Sequence, residues 1–265
     1  MRHVEEGGAR SGLLVRAATW FVLAFLVAPS VIVVVMSFGN RYELLFPPDR
    51  YSLVLYRELF TSSDWLATIS RSLRIALGTA VISILLGAPA AYGLVRGRFW
   101  LGPALLMVAL SPLTIPTVVL ALGLYLLFAP LGLTGSEVSV MAAHIVIASP
   151  FVVVVCATTL RDVDERLEQA AAILGAGPTY VFRRVTLPLM IRGIVVGGLF
   201  AFLTSFDEVV LSYFLSGTAA MTFPVKMFSS IQWEISPVLA AAATLMTAIS
   251  ILTCLLFAAV QRRSP

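Results

Sequence analysis

The chain has 265 residues, of which 59% are hydrophobic and only 12% are charged, with a mean hydropathy of +0.97. Soluble domains carry about a quarter charged residues, so this composition excludes an ordinary soluble protein and indicates one that lies in a lipid bilayer. The net charge of +4 comes from basic residues scattered along the chain, which excludes the clustered basic face of a nucleic-acid-binding protein.

Six apolar stretches are long enough to cross the bilayer, because about 20 apolar residues in a helix span its ~30 Å hydrocarbon core. The sequence therefore predicts an all-α membrane protein with six transmembrane helices in one domain, residues 1–265. We interpret the first stretch as a retained anchor, because it exceeds the ~7 to 15 residue apolar core of a secretory signal. The predicted spans are residues 17–38, 73–95, 101–128, 138–160, 191–211 and 237–260.

Arginine and lysine predict the orientation, because short cytoplasmic loops retain them preferentially. Of the 18 basic residues, twelve fall on one side of the six-span map and six fall on the other. Assigning the richer side to the cytoplasm places both termini there. The twelve are Arg2, Arg10, Arg16, Arg96, Arg98, Arg161, Arg166, Arg183, Arg184, Arg192, Arg262 and Arg263, and the six are Arg41, Arg50, Arg57, Arg71, Arg74 and Lys226.

The predicted third span contains two prolines. Pro112 and Pro116 lack a backbone donor and predict a kink in this helix. Hydroxyl groups near the kink could line a path for a solute, although plain packing explains them equally well because proline is common in membrane helices. The candidates for this path are Ser111, Thr114 and Thr117, with Tyr125 farther along the span.

Motifs for an enzyme are missing from the sequence. The only lysine, Lys226, is followed by methionine, which excludes a phosphate-binding loop of the G-x-x-x-x-G-K-[ST] type. Two histidines, His3 and His144, and two distant cysteines do not have the spacing of a zinc site. His144 with a serine leaves an intramembrane hydrolase open, although a lone histidine in an apolar helix is more often hydrogen-bonded packing. No catalytic residue, metal site or cofactor site is predicted.

The polar stretch RDVDERLEQAAAILGAGPTYVFRRVTLPL follows the predicted fourth span. Asp162 with Glu165 has the spacing of a capping box and predicts the start of a helix. Gly175 predicts its end, and Gly177-Pro178 predicts a second helix that Pro188 closes. A solvated linker would have the same features. The apolar stripe of the first helix is Val163, Leu167, Ala170 and Leu174.

The spacing within this stretch resembles a known motif. Gln169-Ala170-Ala171, then Gly175 after three residues, then Val185-Thr186-Leu187-Pro188 after nine, is similar to the EAA loop of permease subunits in binding-protein-dependent ABC importers. The resemblance implies that residues 161–188 form a cytoplasmic coupling helix that docks on an ATPase. Gln169 departs from the pattern, which has glutamate there, and Glu168 stands one place earlier. The coupling residues it implies are Glu168, Gln169, Ala170, Ala171, Gly175, Leu187 and Pro188.

Other segments resemble the polyamine branch of this family, the spermidine and putrescine permeases. They are SLRIALGTAVISILLGAPAAYGLVR, FDEVVLSYFLSG and TFPVKMFSSIQWEISPVLAAAATLM. The resemblance implies a subunit of the bacterial inner membrane that binds no cofactor, with ATP used by a cytoplasmic ATPase dimer. It also implies a second, related permease subunit and an external solute-binding protein. A permease for another small solute, a self-sufficient channel and a secondary transporter remain the alternatives.

Two acidic residues fall within the predicted fifth span. Asp207 and Glu208 are candidates for the path of a cationic solute, since charge inside a membrane is costly and is by default a hypothesis of function. The alternative is that the pair caps the helix or contacts a partner subunit. On the outer side, residues 217–234 and residues 41–74 are the surfaces on which a binding protein is expected to dock.

Overall fold

The computed structural model describes residues 3–40, 44–97, 100–233 and 236–262, and their side chains within residues 15–260. All regular secondary structure in those ranges is helical. The chain divides into two compact units, residues 1–62 with 233–247, and residues 63–232 with 248–265. Several predictions fall on side chains outside the described part, those of Arg2, Arg10, Arg41, Arg98, Arg262 and Arg263 in the orientation argument and of Glu234 in the outer loop.

The α-helices of the described residues follow one another in this order. They are α1 (His3–Met36), α2 (Val54–Thr61), α3 (Ser63–Arg96), α4 (Gly102–Leu110), α5 (Thr117–Phe128), α6 (Glu137–Arg161), α7 (Glu165–Ile173), α8 (Pro178–Val181), α9 (Leu187–Phe206), α10 (Val210–Leu215), α11 (Phe223–Trp233) and α12 (Val238–Arg262). A 3-10 turn, Ser111–Leu113, extends α4, and a π-helical turn, Phe182–Thr186, joins α8 to α9.

The predicted spans correspond to helices of sufficient length. Five described stretches are long and apolar enough to cross a membrane, and α4 with α5 makes a sixth if the bent pair counts as one span. The prediction of an all-α membrane protein is thereby confirmed, and the predicted six spans correspond to the described helices when the bent pair is one span. The five are Val15–Met36, Ser63–Arg96, Glu137–Arg161, Pro178–Phe206 and Val238–Val260.

The third span is broken rather than merely kinked. Its two halves, Gly102–Leu113 and Thr117–Phe128, meet at an angle of 99°. Pro116 has the extended backbone that precedes a helix start, and Pro112 lies in the 3-10 turn that ends the first half. The kink predicted from the two prolines is therefore present, and it is a sharp turn because both residues deny the helix a backbone donor.

In the larger unit, α3, α6 and α9 pack closely on one another and form its core. Glycines allow this approach. A Cβ on Gly87 of α3 would lie 2.8 Å from Val152 Cγ1 on α6, and one on Gly197 of α9 would lie 3.1 Å from Val152 Cα. A Cβ on Gly193 would likewise collide with the Thr159 side chain. Small residues at helix contacts are the usual means of tight packing in membranes.

In the smaller unit, hydrogen bonds join the end of α1 to the chain that leads into α2. Ser37 Oγ lies 2.7 Å from Tyr56 Oη, and the Ser52 amide donates to Phe38 O at 2.6 Å. Leu55 and Leu59, one helical turn apart, bury the inner face of α2. Residues 15–32 of α1 are exposed, and residues 33–36 at its end are half-buried.

Pro188 does not close a helix, so that prediction is wrong. The helix continues from Pro178 through the π-helical turn and into α9, and Pro188 lies at its second residue. Proline cannot donate to the carbonyl four residues earlier, and the wider π turn immediately before it accommodates the missing bond. The span therefore begins about three and a half turns before the predicted residue 191, at Pro178.

Candidate functional site

The polar segment after α6 folds into a short separate helix, α7. Asp164, with extended backbone, is its N-cap, and its side chain accepts a hydrogen bond from the Arg166 amide at 2.9 Å. The predicted cap, Asp162, is wrong because α6 continues to Arg161 and leaves Asp162 with helical backbone at its end. An N-cap requires extended geometry, which Asp164 has and Asp162 lacks.

α7 ends just before Gly175, as the sequence predicts. Gly175 has a φ of +87°, the left-handed conformation that ends many helices. The amides of Gly175 and Ala176 donate to Ala172 O and Ala171 O at 3.0 and 3.1 Å, which satisfies the last carbonyls of the helix. Pro178 then begins α8, as predicted. A compact turn therefore separates the end of α7 from the start of α8.

Apolar side chains at the end of α7 are exposed. Ile173 is 85% exposed and Leu174 is 88% exposed. Gln169 and Ala170 are also exposed, Ala171 is half-buried, and Leu167 of the predicted apolar stripe is 50% exposed. Val163, at the start of the stripe, packs against the core of the chain. The rest of the stripe, Leu167, Ala170 and Leu174, is exposed and forms a surface on which another protein could bury apolar area.

Arg96, the last residue of α3, holds the start of α7. Its Nε donates to Glu168 Oε1 at 3.2 Å, and its Nη1 donates to Glu165 Oε1 at 3.1 Å. Its Nη2 donates to Leu160 O and Val163 O, at 3.2 and 2.8 Å. The Arg96 side chain is only 10% exposed. One guanidinium thus joins α3 to the end of α6 and to the first turn of α7.

Glu168 and Gln169 therefore occupy different environments. The Glu168 side chain is 12% exposed and points to Arg96, whereas Gln169 faces solvent. Leu187 and Pro188, at the far end of the segment, lie at the start of α9, half-buried and exposed respectively. Sequence reasoning missed Arg96, because it lies 72 residues before Glu168 and only the fold brings them together.

Asp207 and Glu208 lie where the helix of the fifth span stops. α9 ends at Phe206, and α10 begins at Val210. The Glu208 carboxylate accepts from the amides of Val210 and Leu211 at 2.8 and 3.0 Å, so it caps α10. Asp207 is exposed. The predicted continuous span to residue 211 is wrong, because this turn interrupts it, and the two acids have different surroundings.

The candidates on the third span lie at or after its bend. Ser111 Oγ donates to Val108 O at 2.8 Å, and Thr114 Oγ1 donates to Ser111 O at 2.9 Å. Both carbonyls also accept a backbone amide, that of Ser111 and that of Thr114 respectively, so the hydroxyls add a second bond to carbonyls of the turn. Thr117 is the first residue of α5, and Tyr125 is 40% exposed two turns farther along.

A charged cluster lies at the opposite end of α3 from Arg96. Glu137, the first residue of α6, accepts from Arg74 Nη2 at 2.7 Å and from Arg71 Nε at 3.3 Å. Arg71 Nη1 also donates to Met221 O at 2.8 Å. These contacts join the start of α6 and the loop before α11 to α3.

The predicted outer loop contains a helix, α11, that is attached to α3. The Phe223 amide donates to Ser72 Oγ at 2.8 Å in a buried contact, and the Phe223 ring packs edge-on against Trp65. Lys226 Nζ lies 5.7 Å from the centre of the Trp65 ring, within range of a cation–π interaction. This surface is therefore ordered by α3.

His144 does not have the surroundings of a hydrolase base. It contacts Ser205 and Ser212, and all three side chains are at most 4% exposed. A nucleophilic serine must reach its substrate, and these hydroxyls are enclosed by helices. Among the described residues, no three metal-ligating side chains stand close enough to hold a metal ion.

Residues 83–264 match the family described as the binding-protein-dependent transport system inner membrane component. Two relatives with similar sequences are named as polyamine permeases. The chain is 35% identical over 229 residues to the putrescine transport system permease protein PotI of Escherichia coli K12, covering 84% of this chain and 81% of PotI. It is 30% identical over 256 residues to the spermidine/putrescine transport system permease protein PotC of Haemophilus influenzae, covering 96% and 99%.

Solved structures share the fold at low sequence identity. A chain from a bacterial ABC transporter involved in the import of the acidic polysaccharide alginate superimposes with a TM-score of 0.70 at 13% identity, over 96% of each chain. A chain from that type of transporter in complex with an alginate-pentasaccharide-bound periplasmic protein gives 0.70 at 17% identity, over 99% of this chain and 96% of the other. A chain of the inward-facing MetNI methionine ABC transporter gives 0.60 at 17% identity, over 77% and 100%.

Proposed function

The chain belongs to the family of inner membrane components of binding-protein-dependent transport systems, and on that premise we propose that it forms the translocation path for a polyamine such as putrescine or spermidine. As a member of this family it is a multi-pass permease subunit of an ABC importer and not an enzyme. ATP hydrolysis in such importers belongs to separate subunits. The polyamine is the proposed solute, and a permease for another small solute is the alternative.

The names and similarity of PotI and PotC support the choice of solute. An exposed carboxylate at Asp207, where α9 ends, adds a physical reason. A polyamine carries two or more ammonium groups, and an acidic group along its path lowers the free-energy cost of leaving water. Glu208 is a weaker candidate, because its carboxylate caps α10. Ser111, Thr114, Thr117 and Tyr125 remain further candidates for the path.

The observation that carries the coupling role is α7, a short helix with an exposed apolar end that Arg96 holds against α3. We propose that residues 161–188 dock on a cytoplasmic ATPase through Ile173, Leu174 and the exposed face of Gln169 and Ala170. Closure of the ATPases then moves α7 as a rigid body, and Arg96 transmits the displacement to α3. Glu168 acts inside the chain in this arrangement.

The proposed assembly has a dimer of ATPase subunits, a second permease chain related to this one, and an external solute-binding protein. Both termini lie in the cytoplasm, on the same side as α7. The chain binds no cofactor of its own, and ATP is used by the partner subunits. The binding protein docks on the opposite side, where α11 and the outer end of α3 lie.

Two measurements test this function. The tagged chain, purified from its native membrane in mild detergent, should retain an ATPase with a phosphate-binding loop and a second permease, identified by mass spectrometry. Cells that lack the chain should lose ATP-dependent uptake of labelled putrescine or spermidine, and the gene should restore it. Purification of the chain alone, with ATP-independent transport after reconstitution, would instead establish a channel or secondary transporter.

Variants at the end of α7 separate docking from folding. Ile173→Asp with Leu174→Asp should abolish retention of the ATPase and uptake, because a charged surface cannot be buried in an apolar groove. Ile173→Met with Leu174→Met keeps the surface apolar and should retain both. If the aspartate variant binds the ATPase as well as the methionine variant does, α7 is not the docking helix.

A further inference from the structure

His144 lies at the centre of a buried hydrogen-bonded cluster in the larger unit. Its Nδ1 is 2.7 Å from Ser205 Oγ, and its Nε2 is 3.0 Å from Ser212 Oγ. Ser205 Oγ donates to Thr79 Oγ1 at 3.3 Å. Ser205 is 4% exposed, and His144, Ser212 and Thr79 are fully buried. The cluster therefore joins α3, α6, α9 and α10.

One arrangement of protons satisfies these contacts. Because Ser205 gives its proton to Thr79, its oxygen accepts the hydrogen of His144 Nδ1, and His144 Nε2 then accepts the hydroxyl hydrogen of Ser212. The imidazole in this arrangement is neutral, with one donor and one acceptor. Polar side chains inside a membrane bundle are tolerated when each has a partner, and the directions of their bonds then fix the helices that carry them.

The two serines lie on opposite sides of a helix break. Ser205 is in the last turn of α9, and Ser212 is in the first turn of α10, with Asp207 and Glu208 between them. The backbone hydrogen bonds of a continuous helix would fix these turns relative to each other, but they are interrupted here. His144, from α6, bridges the interruption with its two ring nitrogens.

We propose that His144 is a positioning residue for the solute path, which fixes α9 relative to α10 and thereby sets the location of the exposed Asp207 carboxylate. The inference rests on the proposed function, because it assigns Asp207 to the path of a cationic solute. A leucine at position 144 would fill a similar volume and bridge neither serine. The Glu208 cap orders the α10 side of the same turn, and His144 ties both sides to the core.

The test compares uptake of labelled putrescine with ATP hydrolysis by the assembled transporter in proteoliposomes, in the presence of saturating binding protein. The variants are His144→Leu, Ser205→Ala and Ser212→Ala. Ser83→Ala is the matched control, because Ser83 Oγ is also buried in the bundle but makes no hydrogen bond within the described residues. Each variant is measured again in an Asp207→Asn background.

We expect His144→Leu to lower the uptake rate by about tenfold or more, and each serine variant by several-fold, because a bridge between α9 and α10 is lost. ATP hydrolysis should change by less than about twofold, since the coupling surface is elsewhere, and Ser83→Ala should resemble the wild type. In the Asp207→Asn background His144→Leu should add less than about twofold, because both changes act through one carboxylate. His144→Asn, which retains a donor near the Nδ1 position, should recover part of the rate.

Several results would overturn the inference. They are wild-type uptake by His144→Leu, equal losses of uptake and ATP hydrolysis, and full additivity with Asp207→Asn. If His144→Leu does not assemble, the two serine variants and His144→Asn decide by the same criteria. Normal uptake by Asp207→Asn refutes the positioning role while the permease function stands. A wild-type complex that hydrolyses ATP and moves no polyamine refutes the proposed solute itself.

Discussion

The contact between Arg96 and Glu168 should determine how strongly α7 is held against α3. The perturbation is Glu168→Gln, which keeps the size and a carbonyl acceptor but removes the charge. Glu165→Gln is its matched control, because both glutamates lie in α7 and contact the guanidinium of Arg96. The two differ in environment, since the Glu168 side chain is 12% exposed and the Glu165 side chain is 58% exposed.

Exposure sets the expected magnitudes. A hydrogen bond to a charged group in a buried site stabilises by about 1.5 to 3 kcal/mol, so Glu168→Gln should shift the equilibrium between held and released α7 by roughly 10- to 150-fold. The solvent-screened pair with Glu165 is worth less than about 1 kcal/mol, or under roughly fivefold. Arg96→Gln loses both ion pairs and weakens two bonds to carbonyls, and should have the largest effect.

Hydrogen exchange of the α7 amides in the assembled complex measures this equilibrium directly. Peptides covering residues 165–173 should exchange roughly 10- to 150-fold faster than in the wild type in Glu168→Gln, and less than roughly fivefold faster in Glu165→Gln. The ratio of putrescine taken up to ATP hydrolysed should fall in Glu168→Gln, because a released α7 moves without displacing α3. Equal acceleration in the two glutamine variants, or none in Arg96→Gln, would refute the assignment of Arg96 as the residue that holds α7.

Two further predictions concern helix packing and capping. Gly87→Ala should destabilise the purified protein by about 1 to 3 kcal/mol in a thermal unfolding assay, because the new methyl meets Val152. Gly123 has open space around it, so Gly123→Ala should be neutral or stabilising by up to about 1 kcal/mol. A drop of equal size in both would contradict the packing argument. Glu208→Ala should lower the free energy of unfolding by about 0.5 to 2 kcal/mol, because it removes the cap of α10. Glu208→Gln retains an acceptor oxygen and should lower it by less. Equal losses in the two variants would show that the cap is not the cause.

Local chemistry in the sequence was sufficient for much of this architecture. The lengths of the apolar stretches predict the spans, Pro112 and Pro116 predict the break in the third, and Gly175 predicts the end of α7 with its positive φ. Each of these depends on a residue and its near neighbours. α11 and α2 were missed, although Pro224 in the first turn of α11 is a recognisable start.

Features that depend on distant residues were not predictable in this way. Glu168 stands beside the position of the EAA glutamate, yet its partner Arg96 comes from another helix. The choice of Asp164 over Asp162 as the cap depends on where α6 ends, which its packing decides. The roles of Asp207 and Glu208 diverge because a break separates α9 from α10, and the sequence shows only two adjacent acids.

The length of α3 has a mechanical consequence. It has 34 residues and is therefore about 50 Å long. Arg96 at one end is bonded to α7, while Arg71 and Ser72, roughly 36 Å away along the axis, are bonded to Met221 and Phe223 before and within α11. A tilt of about 6° pivoting at Arg96 moves Arg71 and Ser72 by about 4 Å. Under the proposed docking of an ATPase on α7, such a tilt displaces the contacts of α3 with α11 by more than the length of a hydrogen bond.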